Sequence, residues 1–148
     1  MLFRSPLARS FVEDAIVPRV SSEAIKVLEE HRSLGHRLVL VTAALDFLAS
    51  PLAEWLRVDA LVAARPEKHE DGFTGRILPP FPYGEGKRTL VERHAREHGL
   101  DLRQSYFYGD SPGDRHVLGV VGYPRVVNPI RGMARIARQQ GWPICRWT

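Results

Sequence analysis

Ser105-Tyr106-Phe107-Tyr108-Gly109-Asp110-Ser111-Pro112-Gly113-Asp114 decides how the chain folds. Three aromatic residues in a row suit a strand. Gly109 ends it, and Pro112 sits where a proline opens a helix, which is expected to run to about Leu118. A strand that passes at once into a helix is half of a βαβ unit, so the flanking segments should repeat the alternation. Downstream, Arg125-Val126-Val127 reads as a strand and Ile130 to Gln140 as the last helix. Upstream, a helix from about Glu85 to His98 is stopped by Gly99. Pro79, Pro80 and Pro82 mark an irregular loop before it, and Asp71-Gly72 a hairpin turn.

The same alternation continues toward the amino terminus. Ala60 to Ala64 is a short apolar strand. Arg37-Leu38-Val39-Leu40-Val41-Thr42 is an unbroken apolar run after a glycine stop, as expected of a strand buried on both faces. Between them Asp46 to Leu56 reads as a helix, which Pro51 either divides or restarts after Ser50. Ser21 or Ser22 caps a helix from about Glu23 that closes at Leu34-Gly35. Strands and helices alternating in this way imply right-handed crossovers, hence an α/β, Rossmann-like parallel sheet with helices on both faces.

Bulk properties bound the function classes. The chain has 148 residues, 44% of them hydrophobic, enough for one domain with a real core. No segment approaches the roughly 18 consecutive apolar residues of a membrane span, and Met1 to Pro6 lacks a secretory apolar core, so no membrane partner and a cytoplasmic location are expected. Cys145 is the only cysteine, which excludes an internal disulfide. The formal charge of +4 raises the question of nucleic acid. Its basic residues are scattered, except for Arg131, Arg135 and Arg138 on one helix face. No aromatic residues interleave with them, so a solvated face is expected and a nucleic-acid partner is not.

In such sheets ligands bind beyond the carboxyl ends of the strands. Thr42, followed by Ala43 and Ala44, stands at one strand end, where a hydroxyl and nearby amides can meet a phosphate oxygen or simply cap the strand. Asp110 and Asp114 are four apart in a glycine-flanked loop and can converge on a hard cation, or serve as a helix cap and a first-turn acid. Lys87, one of three lysines against eighteen arginines, opens a helix after Gly84-Glu85-Gly86, where a point charge reaches an anion or solvent.

The order of these features is more specific than any of them. Arg37 to Ala44 (RLVLVTAA), Gly84 to Leu90 (GEGKRTL), Tyr108 to Leu118 (YGDSPGDRHVL) and Val126 to Pro129 with Gly141-Trp142-Pro143 resemble the phosphoserine-phosphatase-like branch of the haloacid-dehalogenase-like (HAD) superfamily. The resemblance also takes in the Asp71 to Gly75 hairpin and runs from about Pro18 to the end. It implies a magnesium-dependent phosphomonoester hydrolase acting on a small phosphorylated metabolite through an aspartyl-phosphate. Thr42 and Ala43 would hold phosphoryl oxygens, Lys87 would neutralise them, Asp110 would ligate Mg²⁺, and Asp114 would orient it directly or through water. Gly113 departs from the asparagine common at that position in the branch.

The family's first motif, Asp-x-Asp-x-Thr/Val, is absent from the sequence. The aspartates are Asp14, Asp46, Asp59, Asp71, Asp101, Asp110 and Asp114, and no two are separated by one residue. Asp71-Gly72-Phe73-Thr74 follows the second motif instead of preceding it, and no apolar strand feeds it. The resemblance therefore implies an incomplete sheet lacking its central strand, with residues 1–20 a cap remnant or lead-in helix and 21–148 the core domain. The simplest account is a sequence that begins inside the cap. Mg²⁺ binding is then expected to be weak or lost, and exposed sheet edges open a route to self-association. A non-catalytic phosphate-binding or interaction module is the alternative. His94 and His98, four apart on a helix, could chelate zinc, but Glu97 stands in the wrong place for the metalloprotease motif. Gly109-Asp110-Ser111-Pro112-Gly113 fits a serine-hydrolase elbow literally, but only His116 follows, too near to act as base.

Overall fold

The computed structural model describes residues 5–148. The chain divides into two compact units, one running to Pro79 and taking in Thr148, the other Pro80–Trp147. It is α/β, as expected.

The first unit begins with α1 (Pro6–Phe11), where Ser5 Oγ accepts from the Ala8 amide at 3.3 Å and Pro6 occupies the first turn. The helix widens into a π-helical turn at Val12–Ile16 and tightens at Val17–Arg19. Residues 1–4, part of the segment expected as a cap remnant or lead-in helix, lie outside the described residues. Next comes α2 (Ser22–Ser33), capped by Ser21, whose Oγ accepts from the amides of Glu23 at 3.1 Å and Ala24 at 3.4 Å. Gly35, at φ 77°, ends it, as its freedom from a Cβ allows.

Then follow β1 (Val39–Leu45), α3 (Asp46–Leu56), β2 (Ala60–His69) and β3 (Gly72–Leu78). Pro51 neither divides nor restarts α3, which runs through it. The buried residues of α3 are small (Ala49, Pro51 and Ala53), as is Ala8 on α1, which packs against it. Arg9 and Glu54 join the two helices at 2.6 Å. β2 serves two partners. Its first half runs parallel to β1, with Val39 opposite Ala60 and Val41 opposite Val62. Its second half pairs antiparallel with β3 in the expected hairpin, from Arg65–Leu78 to His69–Gly72.

Two details of β1 differ from expectation. It starts at Val39 and extends through Leu45, and its residues are half-buried or exposed instead of buried on both faces. The strand order β1-β2-β3 explains this, because β1 is an edge and has a strand on one side only.

The second unit contains α4 (Glu85–Glu97), β4 (Tyr106–Gly109), a 3₁₀ turn at Pro112–Asp114 leading into α5 (Arg115–Leu118), β5 (Tyr123–Val127), α6 (Met133–Gln140) and β6 (Ile144–Cys145). Its sheet is parallel in the order β4-β5-β6, with Tyr106 opposite Tyr123 and Val126 opposite Ile144. Leu118, Val126, Met133 and Ala137 form its buried core, joined by Phe107, Ile136, Trp142 and Ile144. Alternation along β4 sends Phe107 to that core and Tyr106 to the other face, where it stacks on Tyr123 with centroids 4.6 Å apart. α6 starts at Met133, later than Ile130, because Gly132 takes the left-handed conformation at φ 73°. β4, like β1, is the edge of its own sheet.

Thr148 returns to α2, its hydroxyl donating to Glu23 Oε1 at 2.7 Å while Ser21 Oγ donates to Oε2 at 2.9 Å. The Thr148 bond first, then the Ser21 bond, hold the Glu23 carboxyl down at about 2. A depressed carboxyl contributes stability that is present above its ordinary value of 4.5 and lost as pH falls toward 2. Carbon-13 titration should show the Glu23 midpoint rising toward the ordinary value in Thr148→Ala. An unmoved midpoint would remove that hydroxyl as the cause.

Candidate functional site

The expected residues fall in both units, and the second unit holds a built cluster. Lys87 lies in the first turn of α4, after Gly84, whose φ of 57° turns the chain into the helix. The Gly84 amide donates to the Gly113 carbonyl at 3.0 Å, tying the start of α4 to the loop after β4. From there Lys87 Nζ donates to Asp114 Oδ1 at 2.5 Å. Both residues are buried, at 7% and 5% exposure. Lys87 therefore faces a carboxylate and not open solvent.

The other oxygen of Asp114 is also engaged. Oδ2 accepts from the amides of Asp110 at 3.1 Å and Ser111 at 3.3 Å, with the Ser111 hydroxyl at 3.4 Å. Gly109 makes room for this: a Cβ there would stand 2.8 Å from Asp114 Cβ and Oδ2. Asp114 thus fixes the loop and holds Lys87. Asp110 is left at the exposed lip of the loop, its carbonyl accepting from Ile130 N at 2.9 Å. Its carboxyl is raised above the ordinary range, first because the group itself is drawn partly out of water and then because Asp114 lies near.

These residues fit one edge of a magnesium shell. Mg²⁺ demands octahedral oxygen ligands. Among the described residues no three of His, Cys, Asp and Glu converge on one point. With Asp114 saturated, Asp110 is the carboxylate of this loop that would meet a cation directly, and Asp114 the one that would set its position through the loop amides.

Thr42 belongs to the first unit. Pairing of β1 with β2 breaks after Val41–Val62 and resumes at Leu45–Ala64, so Thr42-Ala43-Ala44 bulges out with both alanines exposed. Thr42 Oγ1 accepts from the Ala44 amide at 3.1 Å, a local turn of the kind a strand-end threonine makes.

Sequence reasoning missed Tyr83. A Cβ on Gly113 would fall 2.4 Å from Tyr83 Cε2, so the ring occupies the space that a larger residue at 113 would take. The signal was available in the departure at Gly113, which leaves room for something else. His116 Nδ1 lies 3.0 Å from Glu85 Oε1, an arrangement that ties it to α4 and not to Ser111. His94 and His98 stack on α4 with centroids 4.1 Å apart.

A parallel α/β unit with an acidic glycine-flanked loop at a strand's carboxyl end sets the class. The chain belongs to the haloacid dehalogenase-like hydrolase family, whose sequence pattern matches residues 4–119. It is similar to a protein of unknown function from Bordetella pertussis Tohama I, with 34% identity, a TM-score of 0.85 and coverage of 95% of this chain and 66% of that one. A phosphoserine phosphatase solved as a phospho-aspartyl intermediate analogue shares the fold, with a TM-score of 0.70, 19% identity and coverage of 99% and 73%. Among curated relatives, a probable phosphatase from Mycobacterium tuberculosis is 32% identical over 90% of this chain and 46% of its own length. The chain spans about half the length of the first curated relatives it matches. Among the described residues no helix is long and apolar enough to cross a membrane.

The pair makes a double-mutant cycle informative. Lys87→Met should cost about 3–5 kcal/mol in urea unfolding, since it strands a buried carboxylate, and Lys87→Met with Asp114→Asn should recover part of that loss. Gly113→Asn should destabilise by about 1–3 kcal/mol through collision with Tyr83, and Tyr83→Ala should relieve it.

Proposed function

We propose that the chain carries the magnesium- and phosphate-handling part of a HAD-type phosphomonoester hydrolase that works through an aspartyl-phosphate on a small phosphorylated metabolite. The observation that carries the reading is the buried Lys87–Asp114 pair under a loop that leaves Asp110 at its lip. Family membership supports it, as does the relative named a probable phosphatase. Asp110 would hold Mg²⁺, which when bound supplies charge neutralisation to phosphoryl oxygens. Lys87 is poised to donate to a phosphoryl oxygen with the protons not committed to Asp114, an ammonium carrying three. By the family resemblance, Thr42 and Ala43 of the first unit would offer a hydroxyl and an amide to phosphoryl oxygens.

The nucleophile is not among these 148 residues, since no Asp-x-Asp occurs in them. What remains positions and neutralises, and removing a covalent nucleophile removes most of the rate acceleration. The alternative reading of the same residues is a non-catalytic phosphate-binding or interaction module.

Electrostatics gives the test. Lys87, Asp110 and Asp114 together carry one net negative charge, so a phosphate dianion needs a cation on Asp110 before it can bind. Inorganic phosphate titrated against the chain by NMR should perturb Lys87 only when Mg²⁺ is present. Lys87→Met should abolish the response, and Asp110→Asn should lift the magnesium requirement. Phosphate release from a general monoester should stay at background. Turnover that vanishes in Asp110→Asn would overturn the account of the missing nucleophile.

A further inference from the structure

We propose, resting on the phosphomonoester reading above, that Tyr83 binds the leaving group of the ester and that this group is a planar aromatic ring. Three distances fix how the Tyr83 ring is set. A Cβ on Gly113 would stand 2.4 Å from Cε2, 2.8 Å from Cδ2 and 2.9 Å from Cζ. A point beyond a ring's edge is much nearer to one atom than to that atom's two neighbours, whereas a point over the face is almost equally near to all three. The ring therefore lies flat on Gly113. Backbone covers one face, yet Tyr83 is 58% exposed, so the opposite face is open to solvent.

The chain holds the ring there from both sides of residue 83. Pro82 is fully buried, the Tyr83 amide donates to the Phe81 carbonyl at 2.8 Å, and the Tyr83 carbonyl accepts from the Gly86 amide at 3.1 Å. Glycine at 86 lets the first turn of α4 close on this bend, since a Cβ there would fall 1.9 Å from the Phe81 oxygen. The Gly84 amide bonds the Gly113 carbonyl, so ring and backbone engage the same residue. A ring fixed in this way loses little freedom when a second ring stacks on it.

Position ties this surface to the phosphate site. Gly113 belongs to the turn Pro112–Asp114, between Asp110 at the lip and the buried Asp114 that holds Lys87. A phosphoryl group handled by Asp110 and Lys87 thus has the open face of Tyr83 beside it, on the α4 side of the loop. Shape then selects the ester. An aliphatic leaving group gains from a flat face only the area it buries. An aromatic ring stacks offset on it, with centroids about 4.5–7 Å apart, and gains more than that area. All the residues involved lie in the second unit.

The test titrates inorganic phosphate, then phenyl phosphate and cyclohexyl phosphate, into the whole chain saturated with Mg²⁺, by NMR and calorimetry at a pH where both esters are dianions. Cyclohexyl phosphate has the bulk of the phenyl ester without its flat face. Phenyl phosphate is expected to bind about fivefold more tightly and to shift the Tyr83 ring resonances upfield. Tyr83→Phe should keep the preference, and Tyr83→Leu should bring the two esters to parity. Gly113→Ala, which lifts the ring from its seat, should reduce the preference as well. Equal affinities in the unaltered chain, or a preference that survives Tyr83→Leu, would overturn the proposal and leave the phosphomonoester reading standing. A Lys87 that inorganic phosphate does not perturb in the presence of Mg²⁺ would overturn both.

Discussion

The buried ion pair between Lys87 and Asp114 is the constraint on which the second unit's loop depends. Withdrawing two charges from water is costly, and their attraction offsets that cost only when the remaining donors and acceptors are also satisfied. Asp114 meets the condition with the amides of Asp110 and Ser111 on its second oxygen. Those bonds in turn dictate the turn after β4, the need for glycine at 109, and the outward placement of Asp110. The loop's shape and the site's charge are one arrangement.

Much of this was legible in the sequence, for identifiable reasons. Gly35 and Gly99 mark helix ends because few other residues adopt positive φ there, and both do so, at 77° and 63°. Apolar runs between such stops gave strands. Lys87, Asp110 and Asp114 stood out because charged residues follow glycines at element boundaries. Their partnership was not legible. Spacing brings Asp110 and Asp114 into one loop, but which of them turns inward depends on Lys87, 27 residues away from Asp114. Other misses share that character. β6 is two residues long and pairs only because β5 is already in place, so no periodicity announces it. α3 continues through Pro51 because that residue is buried against a packed face, where tertiary contact outweighs the local preference to break. Tyr83 fills a space that exists only because residue 113 is glycine.

β1 and β4 are edge strands of their sheets, and each edge is blunted differently. β4 is four residues long, too short to offer much of a ladder. β1 is longer but bulges at Thr42 to Ala44, which interrupts the row of backbone groups a second strand would need. Short edges and bulges are the devices by which natural sheets resist pairing with strangers. The bulge that exposes Ala43 and Ala44 is therefore the same feature that guards the edge.

The Lys87–Asp114 pair is neutral as a unit and satisfied within its own unit, so its geometry owes nothing to a nucleophile. Asp110 stands outside that pair, at the exposed lip of the loop, where its carboxyl is partly drawn out of water and lies near Asp114. Folding consequently places different demands along the same loop: Asp114 and Gly109 are fixed by the buried pair, and the Asp110 carboxylate is not.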